Sequence, residues 1–250
     1  MSRDDEHGNG RPIVGRRQVL AGTAASVVGG FTGCIGGSSG GDECDSGQIA
    51  VEGPDGTTHC VAPVESPQSV TEYYGYGRGQ NDSASTPDGL SAEDATVTFV
   101  YRNADTGDRS LVVINGDATE TSDGGGRVAM TFEGVSGYEW QVQDGPPGSG
   151  VGDRDPYRTG DGEFGESESV VWGWNDGKTD GGAFGPLGDS FDITAIHRAE
   201  GTVGDTTQAR TGLEKWVLVD GADLGSPTEL AAITADTGDV SVQLSAGDGG

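Results

Sequence analysis

The chain of 250 residues carries 41 acidic and 14 basic residues, a formal charge of −27 at pH 7. So large an excess of anions excludes recognition of nucleic acid through its phosphates, which needs clustered Lys and Arg. The length suits one domain of about 150 residues with tails, or two small ones. Leu, Ile, Val and Phe make up 18% of the residues, a share that together with this charge falls in the range of disordered chains. The apolar residues gather, however, in alternating runs from about residue 95 onward, so the expectation is a folded β domain with a thin core behind a disordered front.

Residues 15–34 read GRRQVLAGTAASVVGGFTGC, with Arg16 and Arg17 followed by an uncharged run from Val19 to Gly33 that ends at Cys34. That run is too short and too glycine-rich to cross a bilayer, which takes about 20 apolar residues. The paired arginines, the apolar Val19 and Leu20, the mild hydrophobic core and the closing Thr32-Gly33-Cys34 resemble a twin-arginine export signal ending in a lipoprotein box. Phe31 stands where such a box usually has an aliphatic residue. The resemblance implies a signal over 1–33, lipidation of Cys34 after cleavage, and a membrane partner reached through the lipid. One acyl chain holds a protein only marginally, so stable anchoring takes a second. Beyond residue 33 the chain keeps 38 acidic and 10 basic residues, and its only lysines are Lys178 and Lys215. This scarcity of Lys beside abundant Asp resembles the proteins of salt-loving archaea. In brine such charges act locally, because screening shrinks to about 3 Å at 1 M salt.

Residues 34–47 are mostly Gly, Ser and acid, with nothing to bury, and read as a flexible tether. The segment 48–94 should hold a hairpin around Pro54-Asp55-Gly56 and a short helix, with Ser66 as its cap and Pro67 in its first turn. Cys44 and Cys60, 16 apart on an exported chain, are expected to bond, with free thiols as the alternative. His59 beside Cys60 lacks the further ligands that zinc needs. Tyr73, Tyr74 and Tyr76 are read as packing residues, and Asn81-Asp82-Ser83 is a glycosylation acceptor pattern.

From 95 to 245 eight period-2 runs follow one another, the first with Val97, Phe99 and Tyr101 alternating with Thr96, Thr98 and Arg102. The others carry "SLVVI" at 110–114, Val128 to Phe132, Tyr138 to Val142, Val170 to Trp174, Phe191 to Ala195, "WVLV" at 216–219 and Val240 to Leu244. The fold class is therefore all-β, an antiparallel β-sandwich, with a jelly roll or barrel as the alternative and 246–250 as a tail.

If successive strands alternate in direction, segments 103–109, 134–137, 175–190 and 220–238 gather at one end of the sandwich. Asp176, Asp180, Asp220 and Asp223 would then share that end, and their hard oxygens could hold calcium; otherwise they form a solvated acidic rim. Trp172 and Trp174 share one side of their run: inward they are core, outward they would stack on sugar rings. Their W-x-W run, followed by Thr179-Asp180-Gly181-Gly182 and "AFGPL", resembles a β domain of secreted and surface proteins from halophilic archaea and some bacteria, to which no activity attaches. No catalytic residue is assigned: there is no nucleophile elbow or phosphate loop, and His197 reads as a sheet-face residue. The expected function is a lipid-anchored, extracytoplasmic surface protein that binds a glycan, a cation or an envelope protein, or serves as a structural spacer. The alternative is an extracellular hydrolase using paired carboxylates, with sugars as substrate.

Overall fold

The computed structural model describes residues 44–75, 90–116, 125–143, 157–159, 162–174, 177–203, 206–234 and 236–247. Arg16, Arg17, Cys34, Tyr76, Asn81 and Asp176 lie outside the described residues.

In chain order the elements begin with β1 (Ile49–Glu52), β2 (Thr58–Val61), β3 (Val64–Ser66) and α1 (Val70–Tyr74). The middle of the chain supplies β4 (Ala95–Asn103), β5 (Arg109–Asn115), β6 (Gly126–Glu133), β7 (Glu139–Gln143) and β8 (Ser167–Trp174). It continues with β9 (Asp180–Leu187), β10 (Phe191–Arg198), β11 (Glu200–Val203) and β12 (Thr206–Ala209), and closes with β13 (Lys215–Asp220), β14 (Asp223–Ala232) and β15 (Val240–Ala246).

Two large sheets pack face to face as a β-sandwich. The first has the order β2-β1-β15-β10-β6-β8; the second has the order β14-β13-β4-β5-β9-β7, with β3 also paired to β4. Between them lies a core built from both inner faces, including Phe132, Trp172, Ile193 and Leu244 from the first sheet and Val100, Leu111, Phe184 and Trp216 from the second. The pairing is antiparallel except that β13 and β3 both run parallel to β4, beside its first and second halves respectively.

The central strands of the second sheet, β13, β4, β5 and β9, are buried on both faces. Val97, Phe99, Tyr101, Val112, Ile114 and Val217 point away from the central core into a separate cluster with Val64, Val70, Tyr74 and Leu90. In β4 it is Thr96, Thr98 and Val100 that face the other sheet. A strand covered on both sides reads as a near-continuous buried run rather than a clean alternation, and all seven residues from Ala95 to Tyr101 are buried.

The hairpin of β1 and β2 is built into the sandwich: β1 pairs with the last strand, β15, and β2 extends the first sheet. The helix starts later than expected. Its N-cap is Ser69, which accepts from Glu72 N while the Glu72 side chain accepts from Ser69 N, a capping box that Ser66 has no means to form. Tyr74 is buried and Tyr73 stacks on Tyr101 with ring centroids 4.7 Å apart, fixing the helix on β4.

Candidate functional site

Period two along β8 turns Glu168, Val170, Trp172 and Trp174 inward together. Trp172 is 0% and Trp174 8% exposed, so the stacking of sugar rings on this pair is ruled out and the inward alternative stands. Trp172 Nε1 donates to Tyr157 Oη at 2.9 Å, and the indole meets Phe132 and Trp140 edge-on. Trp174 slots against glycine backbone: a Cβ on Gly126 would lie 2.2 Å from its Cζ2, and one on Gly116 2.7 Å from its Nε1. These two positions have to be glycine for the indole to enter.

Glu168 is a wholly buried carboxylate inside the aromatic cluster of Trp140, Tyr157, Phe164 and Trp172. A carboxyl group in such a place must be hydrogen-bonded. Its Oε1 accepts from Trp140 Nε1 at 3.2 Å and from Thr159 N at 3.1 Å, and its Oε2 accepts from the Thr159 hydroxyl. The carboxylate thus pins the 157–159 segment over the end of β8.

A second polar constellation spans the two sheets. His197 on β10 is fully buried, and its Nε2 lies 2.8 Å from Thr96 Oγ1 on β4. Thr96 Oγ1 donates in turn to Asn115 Oδ1 at 2.7 Å, and Asn115 Nδ2 donates to the Asp180 carbonyl at 3.2 Å. Since the only proton of the Thr96 hydroxyl goes to Asn115, the resting imidazole carries its proton on Nε2 and donates. Burial, helped by the nearby Arg210 guanidinium, pushes the His197 pKa down to about 3. The Trp216 indole stands edge-on to the imidazole at 4.8 Å and donates through Nε1 to Thr98 Oγ1 at 2.8 Å. Arg210 is buried as well, and its Nη2 donates to the carbonyls of Thr234, Thr237 and Gly238. A hydroxyl between an imidazole and a carboxamide is an arrangement suited to acyl transfer. Every member is sealed from solvent, so the only acyl group it meets belongs to the chain itself.

Of the four aspartates expected to hold calcium, Asp180 does not meet Asp220 and Asp223 among the described residues. Asp180 stands in register with Asn115, Thr96 and Trp216, whereas Asp220 lies four residues further along β13. At about 3.3 Å per residue and 4.8 Å per strand, three strands across, the two are roughly 20 Å apart. The cause is that 175–190 and 220–238 are not loops: each contains a strand, β9 and β14, that runs the length of the sandwich. Carboxylate oxygens of Asp180 and Asp220 are also engaged. Asp180 accepts from the backbone N–H groups of Gly173 and Gly181, and Asp220 Oδ1 accepts from Ala62 N and Ala222 N, clamping the end of β13 to the chain just before β3. Asp223 is exposed on the turn beside Asp220. Among the described residues no three His, Cys, Asp or Glu side chains group as metal ligands.

Cys44 and Cys60 form a disulfide with Cα atoms 5.4 Å apart, joining the residues before β1 to β2. On the outer face of the first sheet, beneath the β11–β12 hairpin, runs an open groove of about 400 Å³. Arg198 crosses its floor, donating through Nε to Thr131 Oγ1 at 3.1 Å and pairing through Nη1 with Asp239 at 2.9 Å. The Ala199 N–H and Arg198 hold the Asp239 carboxyl below the usual carboxylate range.

No family model, curated protein or solved structure matches this chain. Its site is therefore read from its own residues. Sequence reasoning passed over Glu168, Thr96 and Asn115. The parity of Glu168 with Val170, Trp172 and Trp174 was the available signal, as was that of His197 with Ile193 and Ala195.

Proposed function

We propose that this protein is a lipid-anchored component of the cell envelope of a halophilic archaeon, with the sandwich serving as a structural body that meets neighbouring envelope proteins and performs no chemistry on external substrates. The observation that favours this reading over glycan stacking is the interior position of Trp172 and Trp174, whose indoles belong to the core. The long acidic composition keeps such a body hydrated in brine, where its charges act at short range. Export by the twin-arginine route suits a chain that folds before it leaves the cell, and Cys34 supplies the attachment point.

The test is fractionation of the full chain expressed in a haloarchaeal host. The wild-type protein is expected in the membrane fraction and in the detergent phase of a two-phase extraction. Cys34→Ser should move it to the medium, and Arg16→Lys with Arg17→Lys should retain it in the cytoplasm. A wild-type chain found soluble in the cytoplasm overturns the reading, and a glycan array in high salt that lights up reinstates sugar binding.

A further inference from the structure

Thr96 and Asn115 face one another directly across β4 and β5, and both side chains are fully buried. With Thr96 Oγ1 2.7 Å from Asn115 Oδ1, and a carbonyl bond of about 1.23 Å, the hydroxyl oxygen is at most about 3.9 Å from the carboxamide carbon. Reacting atoms about 3–3.5 Å apart make a near-attack pair, so a small rotation brings the two into range. On the other side of the same hydroxyl, 2.8 Å away, stands His197 Nε2. The leaving nitrogen, Asn115 Nδ2, is held by the Asp180 carbonyl. Nucleophile, base and acyl carbon are thus adjacent, as acyl transfer requires, in an interior closed to the water that would hydrolyse the product.

We propose that Thr96 and Asn115 form an intramolecular ester cross-link between β4 and β5, with His197 carrying the proton and ammonia as the leaving group. Thr96 Oγ1 passes its proton to His197 Nε2 and attacks Asn115 Cγ. The Oγ1–Cγ bond forms, the tetrahedral centre collapses, the Cγ–Nδ2 bond breaks, and the proton on His197 joins Nδ2, which departs as NH3. Nothing is oxidised or reduced, and no co-reactant enters. The first transfer needs the tautomer with its proton on Nδ1, the ring nitrogen that bonds to nothing in the resting arrangement. Burial keeps the imidazole neutral, so that one ring nitrogen is free to accept the proton. The inference stands on the interior geometry alone and is independent of the anchoring and envelope roles.

The experiment is mass spectrometry of the full chain purified from high salt and denatured before injection. The intact mass should fall short of the sequence mass, corrected for processing and the disulfide, by one ammonia, about 17 Da. Trypsin cuts after Arg78, Arg102, Arg109 and Arg127, so peptides 79–102 and 110–127 should emerge as a single joined species. Hydroxylamine should split it. Two separate peptides of unmodified mass from the wild-type chain overturn the proposal, whatever becomes of any variant. Thr96→Val should yield separate peptides. His197→Gln should lower the joined fraction at least tenfold at equal time; an unchanged fraction removes His197 from the step.

Discussion

Acid should destabilise this fold through His197. In the unfolded chain it takes up a proton near its ordinary value of 6.5, whereas in the folded protein burial delays protonation to about pH 3. Between those values the unfolded state binds a proton that the native state refuses. The contribution is therefore fully present above about pH 6.5 and is lost as the pH falls toward 3. Each unit is equivalent to about 1.4 kcal/mol, so the loss reaches about 3 kcal/mol by pH 4.5 and about 5 kcal/mol by pH 3. Carboxylates titrate in the same range, so the measurement is a comparison. Urea unfolding in concentrated KCl at about pH 7.5 and about pH 4.5 gives the acid-induced loss for wild type and for His197→Gln, whose side chain does not titrate. The wild-type loss should exceed that of the variant by about 3 kcal/mol. Equal losses would refute the reasoning, because they would mean that the imidazole is either wet or already charged.

Trp172→Ala removes a fully buried indole and its hydrogen bond to the Tyr157 hydroxyl; unfolding free energy should drop by about 3–5 kcal/mol in denaturant titrations. Gly221→Ala places a Cβ 2.0 Å from the Pro63 carbonyl oxygen, at the junction where Asp220 clamps β13 to the chain just before β3. A cost of about 2 kcal/mol and a Tm several degrees lower are expected by calorimetry. Replacing Cys44 and Cys60 together by Ser opens a loop of 16 residues and should cost about 3 kcal/mol on the chain-entropy model, an effect that a reductant reproduces in the wild type.

The strands that alternate were legible in the sequence: β4 through β8, β10, β13 and β15 all coincide with period-2 runs. What escaped was β9, because "DGGAFGPL" has the composition of a turn. Its glycines answer to sheet packing instead, since a Cβ on Gly181 would sit 2.0 Å from the Val113 carbonyl oxygen. The exposed edge strand β14 escaped because "DLGSPTELAA" contains Gly225 and Pro227 and buries almost nothing. Missing those two strands moved Asp180 to the wrong end of the molecule and grouped it with Asp220 and Asp223, from which it stands three strands away. The facing of β4 was also hidden, because its threonines are the inward residues and satisfy His197 and Trp216 rather than solvent. Nothing in a one-dimensional pattern distinguishes a threonine that meets water from one that meets an imidazole.

The disulfide between Cys44 and Cys60 has a mechanical consequence. Tension arriving from the N-terminal side enters the folded body at Cys44 and passes through the sulfur atoms to Cys60, in the middle of β2. The hairpin between the two half-cystines is shunted out of the load path. Pulling therefore cannot peel β1 away from β15, and the ladder that joins the first strand to the last stays slack while a covalent link bears the strain.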